Sequence, residues 1–257
     1  MIIRCSHGNF IITNQYKIKI SDIKEGEQAG FNCHIPLLFI YYYTKMGKAL
    51  FITGIGTDIG KSWATGWLAN TLRNEGNSVI TQKFIQTGNQ DVSEDIELHR
   101  KIMNIPMQTE DVLHITAPVI FSYPASPHLA SKIDNREIDF NAIDTATSQL
   151  ANRYDFVLIE GAGGVMVPLT DTYLTIDYIE QRGLPAVVVT NGKLGSISDT
   201  LLTLEALDRR GIEIYAAIYN PHFDKDPIIS KDAAEFMEKW VSHNYPSARW
   251  MRMPEKI

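Results

Sequence analysis

Residues 54–62, Gly54-Ile55-Gly56-Thr57-Asp58-Ile59-Gly60-Lys61-Ser62, place glycines, a lysine and a hydroxyl in the order that suits phosphate chemistry. Backbone N–H groups of a glycine-rich turn point inward at phosphate oxygens, and a helix that follows offers its positive N-terminus. Lys61 supplies a mobile cation, and the Ser62 hydroxyl can ligate Mg²⁺. Five residues separate Gly54 from Gly60, one more than the common phosphate-loop pattern allows. The chemistry implied is the handling of a nucleotide.

Such a loop works only between a strand and a helix. Residues 48–53 fit a buried strand, and 61–74 carry Trp63, Ala64, Trp67, Leu68 and Leu72 at helical spacing, with Gly76 placed to end the helix. An ordinary glycine-rich turn needs none of this context. Along the chain, strands are expected at 50–53, 79–83, 119–121, 156–160, 186–190 and 214–219, and helices at 61–74, 94–103, 140–153, 175–181, 197–210 and 230–243. Continuous Val, Ile and Leu runs separated by helices predict an α/β fold: a doubly wound, mostly parallel sheet with helices on both faces, P-loop NTPase-like. Ligands gather at the carboxyl ends of such strands. The segments there are 54–62, 83–88, 123–128, 160–164, 191–195 and 220–222, all expected on one rim.

The chain of 257 residues is 44% hydrophobic and 21% charged, enough to bury a real core. A net charge of −6 argues against nucleic acid as a partner, whose binders are basic. No apolar run approaches the roughly 20 residues that span a bilayer, and no secretory layout opens the chain, so no membrane association and a cytoplasmic location are expected. The two cysteines, Cys5 and Cys33, exclude a disulfide scaffold. Their pairing with His7 and His34 is unlike common zinc spacing, and incidental cysteines are the better account. Residues 1–45 differ in texture from the rest, with the apolar piece 10–12, the alternation 16–20 and the aromatic run 39–43. Met46-Gly47-Lys48 resembles a fresh start, so 1–45 is expected to be an N-terminal extension, with a small strand pair as the competing reading, and 46–257 a single domain.

Glu160 ends the apolar run Val157-Leu158-Ile159 with one carboxylate, as the second magnesium-binding element of phosphate-loop enzymes does. With Ser62 and Asp95 it makes an oxygen set for Mg²⁺, which takes one or two carboxylates plus phosphates and waters. Ser93-Glu94-Asp95 equally fits a plain acidic helix start, and both roles stay open. Lys83 among apolar neighbours is unusual in a strand. It is either a snorkelling edge lysine or a second cation for a transferring phosphoryl group.

In order, Gly54 through Ser62, Lys83-Phe84-Ile85-Gln86-Thr87-Gly88, Pro124-Ala125-Ser126-Pro127-His128, Ile159-Glu160-Gly161-Ala162-Gly163-Gly164, Pro168-Leu169-Thr170-Asp171 and Lys193-Leu194-Gly195-Ser196-Ile197 resemble the motif set of the dethiobiotin synthetase family. The family's phosphate loop has the same long spacing, and the resemblance runs from about residue 46 to 254. It implies a Mg²⁺-dependent enzyme of biotin synthesis with ATP as co-substrate. 7,8-Diaminononanoate takes up CO₂ (or bicarbonate) as a carbamate, ATP phosphorylates it, and the second amine closes the cyclic urea, releasing ADP and phosphate. By resemblance Lys61 and Lys83 hold the γ-phosphate and the developing charge, and Thr57 and Thr87 contact phosphate or the carbamate end. Gly56, Thr57, Asp58, Ile59, Gly60, Lys61, Ser62 and Glu160 surround ATP, and Asn220 meets adenine. Ser62, Asp95 and Glu160 hold the metal, while Leu194, Gly195 and Ser196 receive the substrate carboxylate from the second subunit of a homodimer.

Departures from the family pattern are Gly56 for aspartate, Asp58 for glutamate, Ser62 for threonine, Phe84 for proline, and Ser198-Asp199 for an Asn-His pair. Two rivals share the fold. Cobyrinic-acid-type amide synthetases append a glutaminase with a catalytic cysteine, yet no cysteine follows Cys33. ParA- or MinD-like switch ATPases carry a lysine early in the loop, where Ile55 and Gly56 stand here. Longer family members cover adenine with a C-terminal tail, whereas this chain stops at Ile257, soon after Met253-Pro254. Weaker discrimination for ATP over other nucleoside triphosphates is therefore expected; competition kinetics giving a large ATP preference would overturn it.

Overall fold

A computed structural model describes residues 2–5, 8–11 and 47–255. The chain divides into two compact units, 1–45 and 46–257. In the first, β1 (Ile2–Cys5) pairs antiparallel with β2 (Gly8–Ile11). The alternation at 16–20, the run 39–43, His7, Cys33, His34 and Met46 lie outside the described residues.

The second unit begins with β3 (Lys48–Gly54), α1 (Lys61–Asn74), β4 (Val79–Lys83), β5 (Gln86–Thr87) and α2 (Glu94–Ile102). There follow α3 (Thr109–Val112), β6 (Ile120–Phe121), α4 (Pro127–Ile133), α5 (Phe140–Ala151) and β7 (Phe156–Gly164). The last third holds α6 (Thr175–Gln181), β8 (Ala186–Asn191), α7 (Ser196–Arg209), β9 (Ile214–Asn220), α8 (Pro227–Asn244) and β10 (Arg249–Arg252). Six of these strands form one sheet in the order β10-β9-β8-β3-β7-β4, parallel at every pairing.

Side chains alternate across each strand, so each one feeds two cores. Leu50 and Ile52 of β3, Leu158 of β7, and Val187 and Val189 of β8 pack with Ala64, Leu68 and Leu72 of α1. Phe51, Val157, Ile159 and Val188 face the other way, in a cluster with Ile143 and Leu150 of α5, Ile176 of α6 and Leu204 of α7. A sheet covered on both faces has no polar side, which is why its strands are continuous apolar runs.

Three expectations need correction. Residues 120–121 are extended but do not join the main sheet; they pair with β5 in a separate two-stranded sheet. The chain beyond β4 leaves the main sheet, and Gln86 N donates to Val119 O there. The remaining main-sheet strand is β10, whose Arg-Trp-Met-Arg sequence has no apolar run; its residues stay partly exposed at this edge, whereas β4 at the opposite edge is buried throughout. Finally, the strand expected at 156–160 does not stop at Glu160: β7 continues to Gly164, which pairs with Gly54 after a register shift.

α2 and α3 are tied to β4 by a buried ion pair. Arg100 Nε and Nη2 donate to Asp111 Oδ2 and Oδ1 at 2.8 and 2.7 Å, and Arg100 Nη1 donates to Thr81 Oγ1 at 2.8 Å. Burial works against the charge of Asp111, but Arg100, the Gln108 N–H and the Thr116 hydroxyl hold its carboxyl below the usual carboxylate range. A depressed folded-state pKa gives stability that is complete above roughly pH 4 and lost as the pH falls through the folded value. Asp111→Asn leaves Arg100 buried without a counter-charge and should cost about 3–5 kcal/mol in urea unfolding at neutral pH. It should also remove this pair's share of the acid sensitivity.

Candidate active site

The phosphate loop is held from below and from the side. An added Cβ on Gly54 would lie 2.1 Å from Ile59 Cδ1, so the glycine makes room for Ile59 to tuck beneath the loop, where it is buried. Gly60 caps α1 with φ +83, a backbone region costly for other residues, and a Cβ there would lie 2.3 Å from Asn220 Nδ2. That amide donates to Ile59 O at 3.0 Å, while Asn220 Oδ1 accepts from His222 N at 3.1 Å. The end of β9 thus fastens the loop. Lys61 Nζ reaches back to Gly56 O at 2.9 Å. Burial lowers the pKa of Lys61, with the charge of Glu160 opposing.

Beside the loop, two carboxylates, a lysine and a hydroxyl converge. Ser93 caps α2 by accepting from Ile96 N, and its own hydroxyl donates to Gln86 Oε1 at 2.6 Å, which anchors α2 to β5. This sets Asp95 against Ser62 and Lys83. Ser62 Oγ lies 2.6 Å from Asp95 Oδ1 and 2.9 Å from Glu160 Oε1; Lys83 Nζ lies 2.5 Å from Asp95 Oδ2 and 2.9 Å from Glu160 Oε1. Glu160 Oε2 meets His99 Nε2 at 2.6 Å. Burial opposes the charge of Glu160, but Lys83 and His99 hold its pKa well below the usual carboxylate range. Burial likewise opposes the charge of Lys83, and Glu160 with Asp95 more than reverses this, raising its pKa.

Lys83 is therefore no snorkelling edge lysine: it is buried although β4 is an edge strand. Asp95 occupies the acidic start of a helix and reaches the site as well. Hard oxygen donors at this spacing suit Mg²⁺, whose remaining positions go to phosphate and water. Among the described residues no group of three or more His, Cys, Asp and Glu side chains is arranged to hold a metal by itself.

The loop and these side chains line a cleft of about 1280 Å³ at the carboxyl end of the sheet. Of the expected residues, Thr57, Asp58, Gly60, Lys61, Ser62, Lys83, Thr87, Asp95, Glu160 and Asn220 line it. Gly56 and Ile59 lie in the loop without lining the cleft. Leu194, Gly195 and Ser196 are elsewhere: Leu194 is 87% exposed, and Ser196 opens α7.

A family model described as an AAA domain matches residues 48–241. The ATP-dependent dethiobiotin synthetase BioD 2 of Pasteurella multocida (strain Pm70) is 46% identical over 202 residues, 79% of this chain and 95% of that protein. The protein of the same name from Haemophilus influenzae (strain ATCC 51907 / DSM 11121 / KW20 / Rd) is 48% identical over 186 residues, 72% of this chain and 97% of its own length. The chain belongs to the ATP-dependent dethiobiotin synthetase family. A ParA family ATPase from Chlorobium tepidum TLS superposes with a TM-score of 0.47 at 16% identity, covering 80% of this chain and 84% of that one. Among the described residues no helix is long and apolar enough to cross a membrane.

Two participants were not legible as such. Trp63 sits at helical spacing with core residues but is 41% exposed and lines the cleft. His99 is fully buried behind Glu160. The available signal was its place four residues after Asp95 on an amphipathic helix, hence on the same face. For this synthetase-family loop, Gly60→Ala should cost about 1–2 kcal/mol in backbone strain alone. Displacement of the Asn220 amide adds to that, so nucleotide affinity should fall at least ~10-fold, as read by titration with a fluorescent ADP analogue.

Proposed function

We propose that this chain makes dethiobiotin by ATP-dependent carboxylation and ring closure of 7,8-diaminononanoate in the cytoplasm. The observation that carries the reading is the buried cluster of Lys83, Asp95, Glu160 and Ser62 beside the phosphate loop, in a chain of this family. One amine of the substrate adds to CO₂ as a carbamate. A carbamate oxygen attacks the γ-phosphorus of ATP and ADP leaves. The second amine then attacks the carbonyl of the mixed anhydride, phosphate leaves, and the amine protons pass to solvent.

Little covalent chemistry falls to the protein, so positioning and charge carry the rate. Lys61 holds the β- and γ-phosphates from the loop. Lys83 has a raised pKa and stays a cation while negative charge gathers on the transferring group. Ser62, Asp95 and Glu160 are the residues to hold Mg²⁺, which when bound neutralises phosphate oxygens. Thr57 and Thr87, both in the cleft lining, suit phosphate and carbamate oxygens. Asn220, which lines the cleft, keeps one N–H and one lone pair beyond its bonds to Ile59 O and His222 N, which suits an adenine edge.

The exposure of Leu194 and Gly195 outside this cleft supports receipt of the substrate carboxylate across a homodimer interface. Gly195, with φ +97, caps the 14-residue helix α7, whose N-terminal N–H groups suit a carboxylate. The test is dethiobiotin and phosphate release from protein given 7,8-diaminononanoate, bicarbonate, Mg²⁺ and ATP, followed by mass spectrometry. Product should require every component and fall roughly 100- to 1000-fold in Lys83→Ala. ATP hydrolysis indifferent to the diamine overturns the reading and points to a switch ATPase.

A further inference from the structure

Glu160 uses its two oxygens differently. Oε1 faces Ser62 and Lys83 at the cleft, and Oε2 turns back onto His99 Nε2 at 2.6 Å. His99 is fully buried on α2 and does not line the cleft. Its other ring nitrogen, Nδ1, lies 3.0 Å from Thr81 Oγ1 on β4. Thr81 Oγ1 also receives Arg100 Nη1 at 2.8 Å, and Arg100 is gripped by Asp111 through two further bonds.

The direction of each bond follows from what these groups can do. A guanidinium has no acceptor, so the Thr81 oxygen accepts from Arg100 and its single hydrogen is free for His99. Glu160 as a carboxylate only accepts, so His99 Nε2 carries the hydrogen that points at Oε2, and Nδ1 faces the Thr81 hydroxyl, whose hydrogen it can accept. Donors and acceptors match along the whole chain from Asp111 through Arg100, Thr81 and His99 to Glu160.

We propose that His99 is a positioning residue: Thr81 fixes its tautomer, and it clamps Oε2 so that Glu160 presents Oε1 to the metal and phosphate. This rests on the reading of Glu160 as a metal-site carboxylate. Partners behind a ligand orient it, and their loss typically costs roughly 10- to 100-fold in metal affinity or activity. The imidazole gives Oε2 one N–H, so a carboxamide at the same reach replaces it. Thr81→Val keeps the shape and removes the hydrogen that selects the tautomer.

The experiment is Mn²⁺ binding to the full chain with ADP, read by the free-ion electron paramagnetic resonance signal. Thermal melts check folding, and kcat and KM for 7,8-diaminononanoate are measured with Mg²⁺ and ATP. His99→Leu and Thr81→Val should weaken Mn²⁺ binding roughly 10- to 100-fold and lower kcat with KM for the diamine unchanged. His99→Gln should stay near wild type. Glu160→Gln is the control for the underlying reading. If it weakens binding while folded His99→Leu and Thr81→Val do not, the positioning role is overturned and the metal reading stands. If Glu160→Gln has no effect, both fall. Should His99→Leu not fold, Thr81→Val decides: wild-type affinity overturns the proposal. His99→Gln as weak as His99→Leu overturns it as well, because the donated hydrogen would then not be what matters.

Discussion

A carboxylate sealed within a central strand stays charged only if donors and cations meet it there, and Glu160 of β7 sets that condition for the whole rim. Burying an unpaired charge is prohibitive, so the neighbours of Glu160 are constrained in type as well as in position. Lys83 must sit on β4, in register with Glu160 on β7. Asp95 must come in on α2, one turn ahead of His99. Ser62 must open α1. Four elements from separate parts of the chain are thereby fixed around one side chain.

The cost of assembling these charges is met by the sheet around them. β3 and β7 carry apolar residues on both faces, so their carboxyl ends are held by two independent cores. The Arg100–Asp111 pair extends the same rigidity sideways by locking α2 and α3 to β4. Catalytic geometry must hold to a fraction of an ångström. A polar cluster resting on a loop alone would lack that precision.

How much of this was legible follows from where the information lies. The β3–loop–α1 unit is a local pattern of glycines, lysine and helical periodicity, so it could be read directly, as could the buried strands 79–83 and 186–190. Strand β10 could not, because its residues Arg-Trp-Met-Arg stay partly exposed and carry no apolar run. Residues 120–121 have strand chemistry, but their partner is set by where the chain turns after Lys83, a tertiary fact. His99 was invisible for a related reason: a histidine on an amphipathic helix says nothing of the carboxylate 61 residues away that it meets. Trp63 shares its spacing with the core residues of α1, and periodicity alone does not tell a core face from a cleft wall.

The extra residue in the phosphate loop has a structural use that follows from the same contacts. A longer loop is entropically looser unless something holds it. Here Ile55 N is bonded to Val189 O at 3.1 Å, and the Ile59 side chain is buried in the core shared with α1. The Ile59 carbonyl is tied to Asn220 across the sheet, and Lys61 closes on Gly56. The added length lets one apolar residue turn inward as an anchor while its neighbours Thr57 and Asp58 stay exposed to the cleft. Asp58 accepts a left-handed backbone, φ 54, a conformation that aspartate tolerates better than most residues. A loop anchored at four points has little freedom left to lose when phosphate binds. Binding energy that would otherwise be spent on ordering it stays available for the transition state.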